Sequence, residues 1–237
     1  MERQTNSQTL RILAALLTYP TEELQHALPE LGSLLKLENW LPKGSAEKII
    51  IFMHDLAAAD IYDTQEEYVS LFDRTPSLSL HLFEHIHGDS RDRGQALVDL
   101  DLIYRELGLE NASEHTPDYL PMFLEYLSLL PLEQVRSSMD GVIEILATLQ
   151  QRLTKRESNY AVVLEALQSL STRQPDSGKL KAALTADAGL SLSNDLLDAA
   201  WEEQFALAAP RADDTCPKAE QMLARMQEDI QPTGGNP

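Results

Sequence analysis

Apolar residues recur along this chain at spacings of three and four, and polar breaks divide the pattern into segments of helical length. Residues 8 to 18 form a short apolar helix that stops at Tyr19-Pro20. Thr21, followed by Glu22 and Glu23, opens a second helix, because acids in a first turn complement the helix dipole. Leu24, Leu28, Leu31 and Leu35 give its apolar side. Pro42-Lys43-Gly44 interrupts the pattern, and Ser45 is expected to start a third helix through Ile49, Phe52 and Leu56. Asp63-Thr64-Gln65-Glu66 matches a capping box leading to Tyr68, Leu71 and Phe72.

Residues 71 to 100 differ from everything around them. Histidines, arginines, acids and glycines crowd together there among apolar anchors. Leu78, Leu82 and Ile86 repeat every four residues with Phe83 beside them, which predicts a helix. After Gly88, Asp89 and Ser90 can cap a following helix, along which Leu97, Leu100, Tyr104 and Leu107 are spaced until Gly108 ends it. The stretch reads as helix, tight polar corner, helix.

Beyond a polar loop at Glu110 to Thr116, Pro121 is placed in the first turn of a helix, where its missing N–H does no harm. Leu120, Phe123, Leu124, Leu127 and Leu130 form its stripe; Pro131 resets the chain. Two further stripes follow, Val142, Ile145, Leu146, Leu149 and Leu153, then Tyr160, Val163, Leu164, Leu167 and Leu170, separated by a basic patch at Arg152, Lys155 and Arg156. Residues 171 to 190, broken by Pro175, Gly178 and Gly189, read as loop with weak helix, and Leu196, Leu197, Ala200, Trp201 and Phe205 restore a helix. From Pro210 the chain is polar, and its end predicts disorder. No strand-like alternation and no internal repeat are found. The expected fold is all-α, one domain of about 8–11 helices over residues 1–209, with a mobile tail at 210–237.

Composition agrees: the chain has 237 residues, long enough for a full core, and is poor in glycine and rich in Leu, Ala, Glu and Gln. Charge changes the picture more. Against 19 basic side chains stand 38 acidic ones, a net charge of -19. Such a surface repels phosphate backbones and anionic lipid, and it attracts a basic protein segment. Plain solubility is the competing explanation. The single cysteine, Cys216, excludes an internal disulfide and any multi-cysteine metal site. No apolar run is long enough for a transmembrane helix, and the first residues lack the pattern of a secretion signal, so a cytoplasmic protein is expected.

Candidate chemistry centres on the corner. His81, Glu84 and His85 invite a metal reading, because His81 and His85 would share a helix face; the order His-x-x-Glu-His occurs in one class of zinc enzymes. The competing account has His85 and His87 hydrogen-bonded within the corner. Arg91, Asp92 and Arg93 could bind a phosphate at a helix N-terminus, or pair with Asp73, Glu84 or Asp89 to lock the corner, which is the preferred reading. There is no Gly-rich phosphate loop and no Gly-x-Ser-x-Gly motif, so nothing supports catalysis, and neither a metal nor a cofactor is assigned.

These residues carry a resemblance. Leu71-Phe-Asp-Arg74 and Leu82-Phe-Glu-His-Ile-His-Gly-Asp-Ser-Arg-Asp-Arg-Gly-Gln-Ala-Leu-Val-Asp-Leu100 resemble the signature of the NarJ family, the molybdenum cofactor assembly chaperones of respiratory nitrate reductase. The likeness continues at Pro117 to Pro131, Arg152 to Ala161 and Asp198 to Glu203, covering about residues 10 to 205. Two departures stand out. His81 occupies a position that is usually apolar in the family, so no family-wide metal role follows, and Thr75-Pro76 replaces a more usual glycine/arginine turn.

The resemblance implies a non-catalytic, all-helical chaperone related to the TorD-like maturation chaperones. Its implied partner is the apo form of the nitrate reductase catalytic α subunit, recognised through a basic amphipathic N-terminal segment in the cytoplasm. There it is kept competent for molybdenum cofactor insertion before membrane attachment, with no direct membrane insertion of the chaperone. The alternative is a chaperone for the twin-arginine signal peptide of another molybdoenzyme, of the dimethyl sulfoxide or trimethylamine oxide reductase type. An acidic helical domain with an apolar groove suits a basic amphipathic helix. The expected groove comprises Phe72, Leu82, Phe83, Tyr119, Phe123 and Tyr126, with Asp73, Glu84, Asp118 and Glu125 as charged partners. His85, His87, Gly88, Asp89, Arg91, Asp92, Arg93 and Gly94 are expected to hold the corner in shape.

Overall fold

The structure, a computed structural model, describes residues 7–87, 91–110 and 115–185. The first three helices are α1 (Gln8–Leu16), α2 (Glu22–Glu38) and α3 (Lys43–Ala58); α4 (Ile61–Tyr68) leads into the central stretch. After it come α5 (Glu84–His87), α6 (Arg91–Glu106), α7 (Leu120–Ser128), α8 (Leu132–Lys155) and α9 (Ala161–Gln168), and residues 177–185 are helical as well. Among the described residues there is no strand beyond one isolated bridge, between His81 and Tyr119. None of these helices is long and apolar enough to cross a membrane.

Helix α1 is the centre of the core. Leu10, Leu13, Leu16 and Leu17 are fully buried, and the helix packs on α2, α7 and α9. Its N-terminus is held by Ser7 as cap and by Glu38 from the end of α2, whose carboxylate accepts from Ser7 Oγ at 3.2 Å, Gln8 N–H at 3.0 Å and Thr9 N–H. One side chain thereby satisfies backbone donors that helix geometry leaves without partners. The stripes of α7, α8 and α9 close the core from the other side: Leu120, Leu124, Leu127, Leu146, Leu153, Val163 and Leu167 show no exposure.

Most helix boundaries fall where the side chains dictate. Thr21 caps α2, and Pro121 sits in the first turn of α7. Gly108 ends α6 at φ +76°, with Leu109 N–H bonded to Tyr104 C=O and Gly108 N–H to Arg105 C=O, the paired bonds of a Schellman cap. Two boundaries differ from expectation. Helix α3 begins at Lys43 with Pro42 at its N-cap, so Gly44 lies inside the first turn rather than in a break. Helix α4 is capped by Asp60, which accepts from Tyr62 and Asp63 N–H, so the Asp63–Glu66 pattern is mid-helix and not a capping box.

The larger departure is in the central stretch. The helix expected through Leu78, Leu82 and Ile86 is not continuous: after a π-helical turn at Val69–Asp73, a 3-10 turn at Pro76–Leu78 leads through a bend at Leu80 to the bridge at His81, and α5 starts only at Glu84. Pro76 cannot donate within a continuous helix, and the backbone of residues 80–82 bonds across to residues 118–120 instead. Arg152, one of the three residues of the basic patch, turns inward: its guanidinium donates to Ser77 C=O at 2.6 Å and Ala183 C=O at 3.3 Å, holding that turn against α8. The expected helix at Leu196–Phe205, Cys216, the boundary at 209 and the tail from 210 lie outside the described residues.

The segment after α9 is better ordered than its polar composition suggests. The Asp140 carboxylate accepts from Ser171 Oγ at 2.5 Å, Thr172 Oγ1 at 2.6 Å and the N–H groups of Thr172 and Arg173. The Ser171 and Thr172 bonds chiefly lower its pKa from 3.8 to about 2. A carboxyl lowered on folding adds stability that is whole above its unfolded value and is lost as pH falls through its folded value. Chemical denaturation across pH should therefore find Asp140→Asn less stable than the parent above about pH 4, with the gap narrowing as pH falls towards about 2.

Candidate functional site

The exchange between residues 80–83 and 118–120 builds one side of a cavity. Leu120 N–H donates to Leu80 C=O at 2.8 Å and Leu82 N–H to Asp118 C=O at 3.0 Å, flanking the His81–Tyr119 bridge. The Asp118 side chain is completely buried beneath this crossing. It accepts from Phe83 N–H at 3.0 Å, from Thr116 Oγ1 at 2.5 Å and from His81 Nδ1 at 3.3 Å. Burial pushes the Asp118 carboxyl up, but the bonds from His81, Thr116 and Phe83 together outweigh it and hold the pKa below the usual value. Asp118 therefore stays ionised while buried, as a fully hydrogen-bonded carboxylate can.

A second network forms the floor. Tyr68 from α4 and Tyr119 bring their hydroxyls to 3.0 Å, and both reach Leu17 C=O at the end of α1, at 3.0 and 3.4 Å. Burial, followed by the Tyr119 hydroxyl and the Asp73 carboxylate, pushes Tyr68 upward, so it remains a neutral phenol. The Tyr68 ring meets Tyr19 edge-on at 5.7 Å and Phe72 at 4.9 Å. The π-helical turn at Val69–Asp73 leaves Phe72 in the core and Asp73 exposed at the rim. Tyr104 of α6 donates to Pro117 C=O at 2.9 Å and ties the last turn of that helix to the same crossing.

The resulting cavity measures about 750 Å³. Four of the residues expected to bind a client line it: Phe72, Asp73, Tyr119 and Glu125. The others are placed differently. Leu82 and Asp118 are buried. Phe83, Phe123 and Tyr126 are half-buried and pack on the core, and Glu84 is exposed on α5. Tyr19, Tyr68, His81, Tyr104, Glu110 and His115 complete much of the wall and were not among the expected groove residues. They come from widely separated segments, so no local motif could join them. The arrest of α1 at Tyr19-Pro20 was their nearest signal in the sequence.

Two contacts are described at the corner. Arg93 Nη2 lies 3.0 Å from Glu84 Oε1, linking α6 to α5, and His85 Nε2 lies 2.8 Å from Ser79 C=O. Gly88 and Asp89 lie outside the described residues; Arg91 and Asp92 belong to the first turn of α6, and His87 ends α5. A Cβ built on Gly94 would meet nothing within 4 Å. The geometry contradicts a shared helix face for His81 and His85, because His81 is in the bridge and α5 begins at Glu84. Among the described residues no three His, Cys, Asp or Glu side chains converge on a metal-sized space.

Comparison with known proteins finds that the family model described as nitrate reductase delta subunit matches residues 20–166. The chain is similar to the nitrate reductase molybdenum cofactor assembly chaperone NarJ of Escherichia coli K12, 42% identical over 195 residues, or 82% of each chain. It is also similar to the probable assembly chaperone NarW of the same strain, at 36% identity over 83% of this chain and 82% of the other. Among solved structures, a putative redox enzyme maturation protein from Archaeoglobus fulgidus shares the fold at a TM-score of 0.50 and 20% identity, covering 68% of this chain and 90% of that one.

Because Asp118 is buried and satisfied from three sides, its loss should be felt in stability. Asp118→Ala is expected to cost about 2–4 kcal/mol in denaturant unfolding at neutral pH, the range for removing a charged hydrogen-bond acceptor from a buried site. Glu84→Ala, which breaks an exposed pair with Arg93, should cost less than about 1 kcal/mol.

Proposed function

Because the chain belongs to the nitrate reductase delta subunit family, we infer that it is an assembly chaperone for nitrate reductase, serving molybdenum cofactor insertion, and not itself an enzyme. The finer reading is that it binds the apo catalytic α subunit in the cytoplasm through that subunit's basic amphipathic N-terminal segment. Binding holds the subunit ready for the cofactor before membrane attachment.

The cavity is the observation that carries this reading. Its wall is dominated by aromatic and aliphatic side chains, with the carboxylates of Asp73, Glu110 and Glu125 among them. An amphipathic helix could lay apolar anchors against the rings while its basic side chains meet those carboxylates. Apolar anchors in a desolvated pocket supply most of the affinity in such complexes, and exposed charges chiefly speed and orient the encounter. The chain's net charge of -19 adds long-range attraction for a basic partner.

Calorimetric titration of the full chain with a peptide copying the α subunit N-terminus should give micromolar or tighter binding. A twin-arginine signal peptide should bind far more weakly. Asp73→Asn and Glu125→Gln should each weaken the α-subunit peptide severalfold at low salt and flatten its salt dependence. Preference for the twin-arginine peptide would assign the chain to another molybdoenzyme, and binding of neither would reject the cavity as the client site.

A further inference from the structure

Resting on that client-binding reading, we propose that the cavity contains a subsite for an arginine side chain of the client, selective for arginine over lysine. The charge argument comes first. Asp73, Glu110 and Glu125 line the cavity, and among the described residues no lysine or arginine does, so a bound segment finds compensation there for positive charge. Charge alone would accept either basic side chain.

The ring wall separates the two. His115 stacks on Tyr119 with ring centroids 3.9 Å apart and planes 15° from parallel. His81 adjoins both, 5.8 Å from His115 and 5.3 Å from Tyr119. This wall is set in place from behind, because Asp118 bonds His81 and the Tyr68–Tyr119 hydroxyl pair anchors Tyr119. The exposed His115 ring, in a cavity that also carries carboxylates, suits the planar, weakly hydrated guanidinium, which stacks on rings while its N–H fork donates to carboxylate oxygens. An ammonium is compact and strongly hydrated, has no planar face, and gives up more water for a poorer fit.

The test uses the full chain and two versions of the α subunit N-terminal peptide, one carrying arginine at every basic position and the other lysine. Total charge is equal, and the helix propensities of the two residues are nearly so. The arginine version should bind roughly tenfold tighter, the gain expected of one well-placed stacked guanidinium. His115→Leu, at an exposed position, should leave the fold intact and bring the arginine peptide close to the affinity of its lysine counterpart. Equal affinities for the intact protein would overturn the subsite while leaving the chaperone assignment in place. An undiminished arginine preference in His115→Leu would also overturn it. Failure of both peptides to bind would remove the client-binding reading and the subsite together.

Discussion

The Asp118 carboxylate is shut away from solvent, and an ionised group there must be satisfied by the protein itself. Its donors come from both sides of a crossing: the backbone of Phe83 and the ring of His81 on one segment, the hydroxyl of Thr116 on the other. Meeting that demand fixes how residues 80–83 pass residues 116–120. Backbone bonds between Leu80 and Leu120 and between Leu82 and Asp118 then complete the crossing. Helical geometry is given up over that short stretch, and a wall between α4 and α7 is gained. The neighbouring turn is kept in place by Arg152, whose guanidinium donates to Ser77 C=O.

The placement of acids follows from the same constraint. Asp118 is committed to structure, whereas Asp73, Glu110 and Glu125 stay exposed and can meet a partner. Aromatic side chains divide in a similar way. Tyr160, Phe52 and Phe72 form a buried ring cluster, while Tyr19 remains 46% exposed at the cavity edge. The rigid part of the site is thus the crossing and the tyrosine floor, and its exposed part is a rim of carboxylates and rings.

The helices were legible because their information is local. Thr21 before two acids, Pro121 in a first turn and Gly108 after a periodic run each specify a boundary by their own geometry, and each boundary is found there. Asp60, and not Asp63, opens α4; both stand before an apolar periodic run, and only tertiary context shows which one caps the helix. The stretch at 78–86 misled for another reason. Leu78 and Leu82 do enter the core, but from a 3-10 turn and the residue after the bridge, so their spacing of four reflects burial without helix. The cavity was legible only in part. Phe72, Asp73, Tyr119 and Glu125 stand in the recognisable motifs, whereas Tyr19, Tyr68 and His115 join them through folding and carry no shared sequence signal.

If the cavity built around the Asp118 crossing receives the client segment, its separate walls should respond together when that segment binds. Hydrogen exchange of the full chain with and without the α subunit N-terminal peptide measures that response. Added protection is expected to appear together at residues 17–21, 68–73 and 115–125, which meet at the cavity although they are distant in sequence. Protection confined to another surface, such as the small groove between α2 and α3, would contradict it.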